Sequence, residues 1–314
     1  MKKKTVFWSL AILATLAVTV IVTAHFMLVY SLQPDNRGKD LQGSFDYMYE
    51  EYPFLRPWVD SLETAGALRD TFIVNDGARL HAYYVAAPEA TRATAVIVHG
   101  YTDNAIRMFM LAHLYNHELR YNVLLPDLHY SGLSDGDCFR MGWLDRLDVM
   151  RWMDVADSIF GGTQMVVHGI SMGAATTMMV SGEEQRPFVR CFVEDCGYTS
   201  VWDEFEHELR GRFGLPAFPL LHVADWLCGV EHGWTFREAS AVEQVKKCRL
   251  PMLFIHGAAD DFVPTWMVYE LFEAKPQPKE IWVVPGAAHA VSYRDNRDQY
   301  VWRVRNFVSR HIKE

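Results

Sequence analysis

The feature that most restricts how this chain can fold is a series of short apolar runs. "ATAVIVHG", "YNVLLPD", "TQMVVHG", "RCFVEDC", "PMLFIHG" and "EIWVVPG" are spaced along the chain with longer helical patterns between them. Several of the runs are apolar on both faces, as a strand must be when helices cover both sides of its sheet. Strands alternating with helices imply an α/β domain with a mostly parallel, doubly wound sheet. Such a sheet binds its ligand beyond the C-terminal ends of its strands. Those ends are therefore where functional residues are expected.

The flanking regions define the domain plan. Lys2, Lys3 and Lys4 precede an apolar run from about Thr5 to Leu32 in which His25 is the only readily ionised side chain. As a helix this run is roughly 40 Å long, enough to cross a ~30 Å hydrocarbon layer with some tilt. Residues 1–33 are read as an N-terminal transmembrane helix, a signal-anchor. The lysines would keep the N-terminus cytoplasmic, with the rest of the chain on the extracytoplasmic side. The rival reading is a cleaved signal peptide and a secreted protein, since Val22-Thr23-Ala24 offers small residues for a peptidase. The run continues through Phe26 to Tyr30, which favours a retained anchor.

Residues 34–70 read as a lead-in segment with one or two short helices. The main domain is expected over 71–314, opening with a hairpin that turns at Asn75-Asp76-Gly77. Between about 198 and 247 the rhythm breaks: aromatic residues and two prolines fill a stretch with no strand of its own. It is read as a helical cap insertion over the strand ends.

Composition removes some classes. The 314 residues are 50% hydrophobic and carry a net charge of −9, enough for one large core and without the clustered cations that nucleic acid requires. Five cysteines leave at least one unpaired. Cys191 and Cys196, on one predicted strand, lie too far apart to bridge; a Cys228–Cys248 disulfide stays open. No Cys or His spacing suits zinc, so no structural metal is expected.

Chemistry enters at "MVVHGISMGAATTMMV", Met165 to Val180. Gly-Ile-Ser-Met-Gly stands where a buried strand gives way to a buried helix. A sharp strand-to-helix turn strains the residue at its apex, and Gly169 and Gly173 remove side chains that would collide there. Ser171 would then sit exposed at a helix N-terminus, where backbone N–H groups favour developing negative charge. The bland alternative is a glycine-rich turn in which the serine is only a helix cap.

A serine hydroxyl needs a base. His289, in "VVPGAAHA", follows the last predicted strand and is the base candidate; the bland alternative is a surface loop histidine. His99, His168 and His256 lie within or at the ends of strands and read as loop supports. The base in turn needs a carboxylate to fix its tautomer. Asp260 in "FIHGAADDFVP" is preferred to Asp195, which closes the strand after the serine helix, and to its neighbour Asp261. Oxyanion donors are expected from the backbone N–H groups of Met172 and Tyr101. The Tyr101 ring has two readings, lining an acyl pocket or packing on the lead-in segment.

"HGYTDN", "PDLHYSGLSDG", "GISMG", "HGAADDFVP" and "GAAHA" together resemble the successive landmarks of the α/β-hydrolase superfamily, nearest its bacterial esterase- and peptidase-like branches. The resemblance runs from about Thr71 to the C-terminus. It implies the α/β-hydrolase fold and a Ser171, Asp260, His289 triad in the chain order of that superfamily. Two departures are Ile170, where many relatives carry histidine, and "DLHYSG" after the strand, where Asp127 reads as a loop-holder. The expected activity is hydrolysis of a small-molecule acyl ester through an acyl-enzyme, acyl-transfer chemistry that needs no organic cofactor. Alternatives are a peptidase or amidase on the same triad, and a non-catalytic binding domain of this fold.

Overall fold

A computed structural model describes residues 2–34 and 37–313; Asp35 and Asn36, at the head of the lead-in, lie outside the described residues. Eight strands form one sheet: β1 Arg69–Asn75, β2 Ala78–Val85, β3 Ala93–Val98, β4 Asn122–Pro126, β5 Gln164–Ile170, β6 Val189–Asp195, β7 Met252–Gly257 and β8 Lys279–Val284. Their order is β1-β2-β4-β3-β5-β6-β7-β8. All six of the apolar runs are strands. β3, β4 and β7 are buried along their whole length, which is what their two-sided apolar sequences require.

The first two strands form the expected hairpin, with Asn75 opposite Ala78. Asp76 and Gly77 both take positive φ, the conformation of a turn whose twist matches the strands it joins. β2 runs antiparallel to β4, and from β4 through β8 every neighbouring pair is parallel.

The helices are α1 Lys2–Leu32, α2 Leu41–Glu51, α3 Leu55–Thr64, α4 Phe109–His113, α5 Asp145–Phe160, α6 Met172–Ser181, α7 Val201–Phe213, α8 Leu220–His232, α9 Ala241–Val245, α10 Trp266–Ala274, α11 Ser292–Asp295 and α12 Arg297–Val308. They divide the apolar core into two layers. α5, α6, α10 and the cap pack on one face of the sheet. α2, α3, α4 and α12 pack on the other, so the two lead-in helices belong to the core.

The cap consists of α7 and α8; α9, also inside the predicted 198–247 stretch, follows the cap and packs on α6. The cap leaves and rejoins the sheet at one point, an antiparallel bridge between Ser200 and Ser240. Each of these serines also caps the helix that follows it. Ser200 Oγ accepts from Asp203 N at 3.0 Å, and Ser240 Oγ from Glu243 N at 3.3 Å. All five cysteines are free and buried, so the Cys228–Cys248 disulfide left open above is not formed.

The N-terminal helix is long and apolar enough to cross a membrane over Lys4–Leu32. Its two ends behave differently. From Lys4 to Val22 the side chains are mostly exposed, whereas Ala24, Leu28 and Leu32 are buried in the main core. These three are spaced four apart and so share one helix stripe. Phe139 N donates to Leu32 O at 2.8 Å, and the Tyr101 hydroxyl donates to Ser31 O at 2.7 Å. His25 Nδ1 lies 3.1 Å from Glu231 Oε1 at the end of α8. The last turns of α1 are thus structural members of the main domain, although the sequence suggests a boundary at residue 33.

Leu32→Ala leaves a void in this seam and is expected to cost about 2–4 kcal/mol. Thermal unfolding of the full chain in mild detergent, with and without the change, measures the loss as a lower Tm.

Candidate active site

The strained residue is Ser171. It has φ 58° and ψ −122°, between the end of β5 and the start of α6. A β-carbon on Gly169 would lie 2.0 Å from Gly173 O, and one on Gly173 would lie 2.1 Å from Val98 O. The two glycines therefore let α6 sit directly against β5 and β3, and that close approach forces the sharp turn. Ser171 N donates to Asp195 O at 2.8 Å, which fixes the turn to β6.

The side chains converge as follows. His289 Nε2 is 2.8 Å from Ser171 Oγ, and His289 Nδ1 is 2.7 Å from Asp260 Oδ2. The loop after β7 supplies Asp260, and the loop after β8 supplies His289. Asp260 Oδ1 accepts the backbone N–H groups of Phe262 at 3.1 Å and Val263 at 2.9 Å, so its free oxygen is aimed at the imidazole. With Asp260 accepting, the neutral ring carries its proton on Nδ1 and presents the Nε2 lone pair to the serine hydroxyl. The Phe262 ring packs on His289 at 4.9 Å between centroids.

The other carboxylates are placed elsewhere. Asp261 is exposed, and its carbonyl accepts from His207 Nε2 at 2.9 Å. Asp195 is buried and accepts the Tyr300 hydroxyl at 3.0 Å. Burial pushes its carboxyl up to about 7 against the pull of that bond. Asp127 ties loops together, taking Ala105 N, Leu133 N and His81 Nδ1 at 2.7–2.9 Å.

Two of the three strand histidines, His99 and His256, support loops as expected; His168 instead joins two helical tyrosines across the core. His99 bonds Leu128 N and Gly100 O, and His256 bonds Val263 O. His168 lies between the Tyr115 and Tyr300 hydroxyls, each at 3.0 Å. The chain Tyr115–His168–Tyr300–Asp195 is consistent throughout if His168 donates from Nε2 and accepts at Nδ1. It runs beneath the turn that carries Ser171.

The expected oxyanion donors flank the serine. Met172 begins α6 directly after it. The loop after β3 passes beside it: a β-carbon on Gly100 would lie 3.5 Å from Ser171 Cβ, and Tyr101 follows. The Tyr101 ring lines the cleft and is held by α1, not by the lead-in segment.

That cleft holds about 960 Å³, part of it open to solvent, with Ser171 in its wall. The other walls come from α7, α8, the loop after β7 and the end of α1. The cap aromatics divide three ways. Phe205, Phe213 and the buried Phe236 line the cleft, Trp234 is buried, and Phe218 and Trp226 face outward.

One cleft residue escaped the sequence reading. Glu204 is buried, and its Oε2 has no partner among the described residues. Burial, with Glu208 and Asp260 nearby, raises its carboxyl well above the usual range and favours its protonated form, which can donate a hydrogen bond. Helical spacing carries a partial signal, since Glu204 adjoins the cleft-facing Phe205 and Leu209 on α7.

Cys196, Asp260 and His289 place ligand-type atoms within 4.8 Å of one another. Both imidazole nitrogens are already engaged, and burial drives the Cys196 thiol far from its thiolate. The donor set therefore suits proton transfer better than a metal.

A family model for the prolyl oligopeptidase family matches residues 141–314. The chain belongs to that family. Among curated relatives, the uncharacterized protein YqkD of Bacillus subtilis is 27% identical over 315 residues, covering 97% of each chain. Among solved structures, the Pyrococcus furiosus esterase Pf2001 superposes with TM-score 0.63 at 22% identity, covering 78% of this chain and 92% of its own. An acylaminoacyl peptidase of Pyrococcus horikoshii superposes with TM-score 0.60 at 16% identity, over 79% of this chain and 42% of its own. The fold is that of the α/β-hydrolases, and this member of the family is a serine hydrolase.

The buried relay yields a pH prediction. Burial lowers the His168 pKa to about 3 from the 6.5 of a free imidazole. Between those values the unfolded chain binds a proton that the folded chain refuses, so acidification favours unfolding. Asp195 contributes with opposite sign in both proteins compared. Urea denaturation at about pH 7 and about pH 5 should show the stability gap between wild type and His168→Gln shrinking by about 2 kcal/mol.

Proposed function

We propose that the chain is a membrane-anchored serine esterase in which Ser171 is the nucleophile, His289 the general base and acid, and Asp260 its orienting carboxylate. The observation that supports this most directly is the unbroken hydrogen-bonded series from Asp260 Oδ2 through His289 to Ser171 Oγ, at 2.7 and 2.8 Å, ending at a strained serine. Ser171 attacks the acyl carbonyl as its proton passes to His289 Nε2, and Asp260 stabilises the imidazolium. The N–H groups of Met172 and Tyr101 take the oxyanion. His289 protonates the departing alcohol, and water then repeats the sequence to release the acid and restore Ser171.

The anchor reading adds the location. With Lys2, Lys3 and Lys4 on the cytoplasmic side, the catalytic domain lies on the extracytoplasmic face. Val22–Ala24 falls inside the unbroken helix α1, whose closed backbone hydrogen bonds disfavour peptidase entry and support retention over secretion. Mass spectrometry of the mature N-terminus distinguishes the two.

A peptidase or amidase on the same residues is the second reading, favoured by the family and by the acylaminoacyl peptidase neighbour. Parallel turnover of p-nitrophenyl acyl esters and aminoacyl anilides separates the two activities. Ser171→Ala is expected to lower kcat by about 10⁴–10⁶ and to abolish labelling by a fluorophosphonate probe. Asp260→Asn should lower kcat by about 10⁴, since it mis-sets the imidazole tautomer. A folded wild-type chain that neither labels nor cleaves either substrate would favour the non-catalytic binding domain.

A further inference from the structure

The cleft is built partly from the membrane helix. Met27, Leu28, Tyr30 and Ser31, all on the last turns of α1, line the same cavity as Ser171. Residues of α7 and α8, among them Leu221 and Ala224 of α8, complete the lining, with α8 packed directly on α1. The charged members of the lining are Glu204, Glu208 and Arg212; the last two pair with one another, and burial raises the first toward its neutral form. A peptide entering such a lining would bring a donor and an acceptor per residue with few partners to meet them. An alkyl chain brings neither.

The position of the cleft along α1 matters equally. The free part of the helix, Lys4 to Thr23, is about 30 Å long, the thickness of a hydrocarbon layer. Burial against the domain begins at Ala24. The bilayer surface therefore falls near His25, whose partner Glu231 closes α8. From there the cleft-lining residues Met27 to Ser31 lie only about 3–9 Å farther along the helix. At the same level α1 and α8 show outward apolar side chains: Phe26, Trp226 and Val230 each keep more than half their surface exposed. Trp226 and Val230 are four apart and share a face. Tryptophan beside aliphatic residues suits the headgroup boundary of a bilayer.

We propose that the substrate is a bilayer-resident amphiphile carrying a long acyl chain in ester linkage. The chain passes from the adjacent leaflet into the cleft lined by the end of α1 and the cap helices, which brings its carbonyl to Ser171. This rests on the esterase and retained-anchor readings above. Attack by Ser171 Oγ breaks the acyl C–O bond, the alcohol headgroup leaves with the proton from His289, and water releases the fatty acid.

The test uses the full chain. In mild detergent, kcat/KM for p-nitrophenyl palmitate should exceed that for the butyrate ester. Ala224→Trp, which fills the cleft, should lower that ratio by about tenfold or more. In phosphatidylcholine vesicles containing monopalmitoyl glycerol, the double change Trp226→Glu, Val230→Glu should lower turnover of the vesicle-borne ester about tenfold relative to the soluble butyrate ester. A flat or short-chain-peaked profile indifferent to Ala224→Trp would overturn the inference while leaving the esterase reading standing, as would equal losses on both substrates in the double variant. Failure of every ester together with loss of fluorophosphonate labelling would instead sink the esterase reading itself.

Discussion

The close approach of α6 to β5 and β3 governs the rest of the site. Two glycines allow it, because at either position a β-carbon would overlap backbone at about 2 Å. With the helix pressed onto the sheet, Ser171 has no relaxed conformation available and is held at positive φ. The strain is over-determined by its surroundings: Asp195 O anchors the serine amide, and packing from both core layers holds the strands that meet there. The loops after β7 and β8 then need only reach the same sheet edge for the imidazole and carboxylate to arrive. Each is locked locally, Asp260 by two backbone amides and His289 by the Phe262 ring.

Beside the Ser171 turn lies a second, fully buried polar layer. Tyr115, His168, Tyr300 and Asp195 form a buried series of hydrogen bonds across the centre of the sheet. Polar groups in such a place are costly unless each finds a partner. Here the series ends on the strand that receives the Ser171 amide, so its satisfaction and the posture of the serine are mechanically connected. Electrostatics separates the two layers. Burial keeps His168 neutral, whereas His289 lies at the partly exposed edge of the site beside Asp260.

Much of this was legible in the sequence because its determinants are local. Two-sided apolar runs identify the central strands, Asn-Asp-Gly marks the hairpin, and glycines around Ser171 mark the sharp turn. Asp260 stood out over Asp195 because a glycine turn after a strand puts a side chain at the sheet edge, whereas Asp195 ends its strand still inside the core. What stayed hidden depends on tertiary placement. An apolar segment such as Ala24 to Leu32 reads the same whether it meets lipid or a protein core; only the i, i+4 stripe of Ala24, Leu28 and Leu32 separates the cases. Glu204 looks like any acidic residue on a helix until α7 is laid over the cleft. The partner of Tyr101 was missed for the same reason, since nothing local indicates that the end of α1 folds back beside β3.

The single bridge between Ser200 and Ser240 gives the cap an unusual independence. A polypeptide excursion that departs and returns through one pinch point leaves the strand register beneath it unbroken, and meets the scaffold through side-chain packing instead of backbone pairing. Changes in its outward-facing length or composition would leave the register of the strands and the Ser171 turn in place. The roof can therefore be reshaped on its outer side at little cost to the floor on which Ser171 stands.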